Sequence, residues 1–104
     1  MDDAAFEAAA DEALERLERA LEALEVDFEL KEGGVIEIEL DDGSKIIVNR
    51  HSAAREIWVA ARSGGYHFRR DGGAWRDTRS GAELFAALSE LLSDQLGRGI
   101  RLLG

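Results

Sequence analysis

The sequence predicts an α+β fold: a two-layer α/β sandwich in which two helices pack on one face of an antiparallel six-stranded sheet. Three observations lead there. Both ends carry apolar residues at helical spacing, the middle alternates apolar and polar residues, and glycine-containing turn signals punctuate that middle at short intervals. A chain of 104 residues is long enough for one core and too short for two, so residues 1–104 are expected to form a single domain.

The first helix is expected over residues 2 to 24. Phe6, Ala10, Leu14, Leu17, Leu21 and Leu24 recur every three or four positions and so share one side. Asp2 or Asp3 can cap its start, and Glu12 with Arg16 and Glu15 with Arg19 have the spacing of supportive i,i+4 pairs. Next, Val26, Phe28 and Leu30 alternate with Asp27, Glu29 and Lys31, and Gly33 with Gly34 turns the chain into Ile36, Ile38 and Leu40. Asp42-Gly43 is a tight-hairpin signal before a third strand at 45–49. Three shorter strands are expected at 56–62, 66–70 and 74–77, separated by Ser63, Gly64 and Gly65 and then by Asp71, Gly72 and Gly73. Ser80 stands three residues before Glu83, a capping-box spacing that starts the second helix near Ser80, with Leu84, Phe85, Leu88, Leu91 and Leu92 as its apolar face. Gly97 stops it, and Ile100, Leu102 and Leu103 are expected to pack between the helices.

Charge separates the chain into unequal parts. Residues 1–42 hold sixteen acids against three bases, and residues 43–104 hold six against ten, so a net −13 sits beside a net +4. The overall −9 argues against nucleic acid or an anionic membrane as a partner and for cations or basic protein surfaces. No cysteine is present, which excludes disulfides, thiolate metal sites and a Cys nucleophile. The acidic start and the lack of a long apolar run lead to the expectation of a cytoplasmic protein. With no proline, no slow prolyl isomerisation is expected in folding.

On the first helix Glu7, Asp11, Glu15, Glu18, Glu22 and Glu25 form a second stripe beside the apolar one, and Asp27 and Glu29 carry it onto the first strand. Acids on a wet helix face ordinarily serve solubility. Like charges at i,i+4 are nevertheless costly, and carboxylate oxygens are hard ligands suited to iron and other divalent cations. An open stripe without His or Cys can hold such ions only weakly. His51 and His67 have no carboxylate at ligand spacing and read as solvated or structural. Neither a catalytic triad, an HExxH pattern nor a phosphate-binding glycine motif is present, so no enzyme is indicated. If Ile57 and Val59 face the core, Trp58 faces the uncovered side of the sheet, either as a contact residue for a partner or as an aromatic covered by arginine stems. Trp75 is expected to close the sheet edge against the second helix.

The run GSKIIVNR at 43–50, then Ile57-Trp58, then GGYHF at 64–68, then Trp75-Arg76-Asp77 and Ser80-Gly81, resembles the bacterial frataxin family in order and spacing. The match covers residues 33–97 well and extends more loosely to the first helix through Phe6, Asp11, Leu17, Glu18, Leu21 and Glu22. This resemblance implies an iron-binding acidic ridge, which falls here on Glu18, Glu22, Glu25, Asp27 and Glu29, with Asp11 and Glu15 added as their neighbours. It implies weakly bound Fe2+ or Fe3+ and a role as regulator or iron donor of iron-sulfur cluster assembly. The implied partners are a cysteine desulfurase and its iron-sulfur scaffold complex, contacted by the ridge and by Asn49 and Trp58, with Arg50 added from proximity. A monomer is expected, with iron-driven oligomers, ferroxidase and iron storage, or a stabilised frataxin-fold scaffold with weakened iron binding as alternatives. The chain departs from the family pattern in passing directly from helix to strand at Leu24-Glu25-Val26, in Arg19 and Ala23 at helix positions often acidic there, and in His51-Ser-Ala-Ala54, which lacks the usual Gln and Pro.

Overall fold

The computed structural model describes residues 1–103. In chain order it contains α1 (Asp3–Ala23), β1 (Phe28–Lys31), β2 (Val35–Glu39), β3 (Lys45–His51), β4 (Glu56–Ala61), β5 (Gly64–Asp71), β6 (Ala74–Asp77) and α2 (Leu84–Leu96). The six strands form one antiparallel sheet whose spatial order is their sequence order. Alternation sends Ile36, Ile38, Ile46, Val48, Ile57, Val59, Phe68 and Trp75 to the face that both helices cover, where they join Phe6, Leu14, Leu17, Leu21, Leu84, Leu88 and Leu92 in one core. The predicted fold class is the observed one.

The Asp2 carboxylate accepts the Ala5 N–H at 2.7 Å, as an N-cap should. The other end of α1 explains how a strand follows without a loop. The Glu25 N–H donates to the Glu22 carbonyl at 3.0 Å and the Val26 N–H to the Leu21 carbonyl at 3.0 Å, a Schellman pair. Glu25 occupies the left-handed position of that motif, at φ 56°, where glycine is usual. Val26 is buried, so the apolar contact that accompanies such a closure also pins the entry to β1.

Several expectations are corrected. Helix α2 begins at Leu84, not near Ser80, and its cap is Glu83, whose carboxylate accepts from Phe85 N at 3.0 Å and Ala86 N at 3.2 Å. The reason is upstream: Asp77 accepts the backbone N–H groups of Arg79 and Ser80, and Glu83 still pairs with Arg76 as a β-bridge, so residues 78–83 form a turn against the sheet edge. Of the two i,i+4 pairs, Glu12 with Arg16 forms at 3.5 Å and Glu15 with Arg19 does not. Strand β5 starts at Gly64 rather than 66, which leaves Arg62 and Ser63 as the hairpin loop. Trp75 stands on the edge strand β6, which packs against α2 as expected, and in addition meets Phe6 of α1 edge-on at 5.9 Å. In the C-terminal segment Leu102 is buried and held by its N–H to the Ser89 hydroxyl at 2.9 Å, but Leu103 is 78 % exposed and does not pack between the helices. Leu30 has the core-facing parity yet is 60 % exposed, because β1 is an edge strand that α1 does not fully cover.

Candidate functional site

Of the seven acids of the predicted ridge, Asp11, Glu15, Glu18 and Glu22 stand on α1, Glu25 and Asp27 on the link to β1, and Glu29 on β1, opposite Glu37 on the face away from the helices. Asp11, Glu15, Glu22, Glu25, Asp27 and Glu29 are exposed and Glu18 is half-buried. They are not equally free. Asp11 is bound by the Arg50 guanidinium, which also reaches Glu7 at 3.2 Å. Glu29 pairs with Lys31 at 2.9 Å, and that hydrogen bond, with the Glu29 charge, raises the Lys31 amine above its ordinary value. The stretch with no ion-pair partner among the described residues is therefore Glu15, Glu18, Glu22, Glu25 and Asp27. Among those residues no three His, Cys, Asp or Glu converge into a cage for a metal ion. The stripe can hold a cation by summed charge and exchangeable carboxylate contacts rather than by a fixed coordination sphere.

Arg50 differs from what its neighbours led us to expect. It pairs in register with Ile57, so it shares the helix side of the sheet with Val48, while Asn49 and His51 face the other way. Its side chain runs so close to the β1–β2 turn that a Cβ on Gly34, which has φ +76°, would stand 2.9 Å from the Arg50 Nε. Arg50 anchors the first half of α1 to the sheet. The Ser52 hydroxyl donates to Glu7 at 2.6 Å and Arg55 pairs with Asp3 at 2.9 Å, which extends the same seam.

On the uncovered face, Trp58 sits at the centre of a plate built by register. Its cross-strand neighbours are Asn49 on β3 and His67 on β5. The indole is stacked between two imidazoles, with His51 at a centroid distance of 3.6 Å and 18° between planes, and His67 at 4.3 Å and 8°. Beneath it, Glu56 is buried although it lies on the wet face, since its carboxylate accepts the Trp58 indole N–H at 2.8 Å and an Arg69 N–H at 2.7 Å. His67 Nδ1 is 3.7 Å from the same carboxylate. Neither histidine is merely solvated; both hold the tryptophan flat, and an oriented aromatic loses less entropy on contact with a partner. The sequence reading missed His51, His67 and Glu56 as a group. The available signal was the hairpin between β4 and β5: a loop of Arg62 and Ser63 places His67 directly opposite Trp58, whereas a turn through Gly64 and Gly65 does not.

The Frataxin-like domain model matches residues 1–98. The chain is 62% identical over 102 residues to the iron-sulfur cluster assembly protein CyaY of Dechloromonas aromatica (strain RCB), covering 96% of this chain and 97% of that protein. It is 52% identical over 97 residues to the iron-sulfur cluster assembly protein CyaY of Cupriavidus metallidurans, covering 88% and 87%. Among solved structures, frataxin from Psychromonas ingrahamii superposes with a TM-score of 0.90 at 26% identity over 100% of both chains. Trimeric frataxin from Saccharomyces cerevisiae, complexed with ferrous iron, superposes with a TM-score of 0.75 at 28% identity over 86% of this chain and 87% of that one.

Proposed function

The chain belongs to the frataxin-like family, and from that premise we propose that it serves iron-sulfur cluster assembly as a non-enzymatic iron-binding regulator or iron donor acting on a cysteine desulfurase. The observation that carries this reading is the stretch Glu15, Glu18, Glu22, Glu25 and Asp27, none of which has a base within ion-pair distance among the described residues, while Asp11 and Glu29 at its two ends are paired. Such a stretch attracts Fe(II) and a basic protein surface by the same field. Loose binding is what a donor requires, because the ion must leave.

Asn49 and Trp58 supply the second contact. Together with His51 and His67 they form a patch on a sheet face that no element covers among the described residues. In this reading Arg50 acts indirectly, by neutralising Asp11 and fixing α1 rather than by touching the partner.

The test is an anaerobic Fe(II) titration followed by amide NMR, with Ca(II) as control, alongside desulfurase turnover with and without the protein. Broadening confined to residues 15–27, together with a change in turnover, supports the proposal. If turnover is unchanged and Fe(II) binds no better than Ca(II), the proposal is wrong. Oxygen uptake during Fe(II) addition would identify a ferroxidase instead.

A further inference from the structure

Of the three bases among residues 1–42, Arg16 and Arg19 line one groove. A cavity of about 390 Å³ is lined by Arg16, Arg19, Ala20, Ala23, Leu24, Arg101 and Leu103. A second, of about 710 Å³, continues from it past Arg16, Arg101 and Leu103 to Trp75, Phe85, Ala86 and Leu102. The shared residues make them one groove, bounded by α1, α2, β6 and the C-terminal segment. Its size is that of a small-molecule site.

The chemistry of its walls is unlike the rest of this acidic molecule. Arg16, whose guanidinium lies 4.8 Å over the Phe85 ring, has a single long pair with Glu12. Among the described residues no carboxylate stands within ion-pair distance of Arg19 or Arg101. The Glu83 carboxylate at the rim is committed to capping α2. Trp75 lines the larger cavity, and its indole N–H is buried with no acceptor among those residues. Three guanidinium forks beside an apolar wall match an anionic head on an apolar body.

We propose that this groove is a binding site for a small amphipathic organic anion, its carboxylate or phosphate held by Arg16, Arg19 and Arg101 and its apolar body laid against Leu24, Phe85 and Leu102. The site is separate from the ridge and from the Trp58 face. Occupying it would join α1 to α2 and the C-terminal segment without touching either proposed partner surface.

The probes are octanoate and octyl phosphate, with octanol and inorganic phosphate as controls, each titrated into the intact chain and followed by amide NMR. Both amphiphiles are expected to shift residues 16–24, 83–89 and 101–103 saturably, with octanol and phosphate alone at least tenfold weaker; the better of the two amphiphiles assigns the head group. The double variant Arg19→Gln, Arg101→Gln is expected to weaken binding at least tenfold while its circular dichroism is unchanged, and Glu18→Gln with Glu22→Gln is expected to leave it intact. Equal binding of octanol would reduce the groove to an apolar crevice and overturn the proposal. So would shifts elsewhere, undiminished affinity in the arginine variant, or binding of a glutamate-rich peptide in place of the amphiphiles. Because no ridge residue takes part, loss of Fe(II) binding would leave these results unchanged.

Discussion

At the scale of single residues, charge that looks uniform in the sequence divides by pairing. Asp11 and Glu15 are alike on paper, but Arg50, 39 positions further on, binds the first and not the second. Spacing along a helix shows which acids are neighbours, and it cannot show which distant base reaches them. Glu25 is a different case, since its left-handed backbone is strained for an L side chain whatever its charge does. Glu25→Gly is expected to raise the free energy of unfolding by about 0.5 to 1 kcal/mol, read from the urea midpoint, while removing one ridge carboxylate. A stabilised variant with weaker Fe(II) binding would show strain retained at a working position. Asp77 links one residue to pH. The backbone N–H of Arg79, and then that of Ser80, hold its carboxyl below its ordinary value against the opposing cost of burial. A depressed folded value means stability that is present above the unfolded pKa, about 3.9, and is lost as pH falls through the folded one. Asp77→Asn is therefore expected to be less stable at neutral pH and to show a shallower loss below about pH 4, measured as urea midpoint against pH.

At the scale of elements, periodicity gave both helices and all six strands, and the errors fell at boundaries set by tertiary contacts. Ser80 with Glu83 has the form of a capping box, yet the Asp77 turn takes the Ser80 N–H and the edge of β6 takes Glu83 into a bridge. The helix starts only where that pairing ends, and the acid meant as partner becomes the cap. Glu83→Ala is expected to cost about 0.5 to 2 kcal/mol in urea unfolding and Ser80→Ala less than half of that; a capping box would reverse the order. The same limit applies to β5, where reading Gly64 and Gly65 as turn residues shifted the hairpin and hid the pairing of Trp58 with His67. Glycine marks a bend, but register decides which side chains meet.

At the scale of the whole molecule, the fold class and the charge asymmetry were legible because each is a property of counts and periods. The plate around Trp58 was not, because it needs three strands in register, and the arginine groove was not, because it joins positions 16, 19 and 101. The separation of acidic α1 and β1 from the more basic later strands gives the protein a direction in a partner's field. If the proposed partner is a cysteine desulfurase, its association with this chain is expected to slow steeply between about 0.05 and 0.5 M salt, chiefly in its on-rate, as the screening length shrinks from about 14 Å towards 4 Å. Glu18→Lys with Glu22→Lys should lower the on-rate at low salt and flatten that dependence, whereas Trp58→Ala should act on dissociation. Stopped-flow mixing separates the two.

Strands that pair in sequence order can pair as they leave a ribosome, each hairpin closing on the one before it. Their apolar side, however, is shared by a helix made first and a helix made last. Until residues 84–96 are free to pack, Phe68 and Trp75 lie at a seam only half closed, so the apolar side of the sheet stays partly exposed after all six strands have been made. A sheet without α2 therefore presents the surface of an aggregation-prone intermediate, and α2 is the element that closes it.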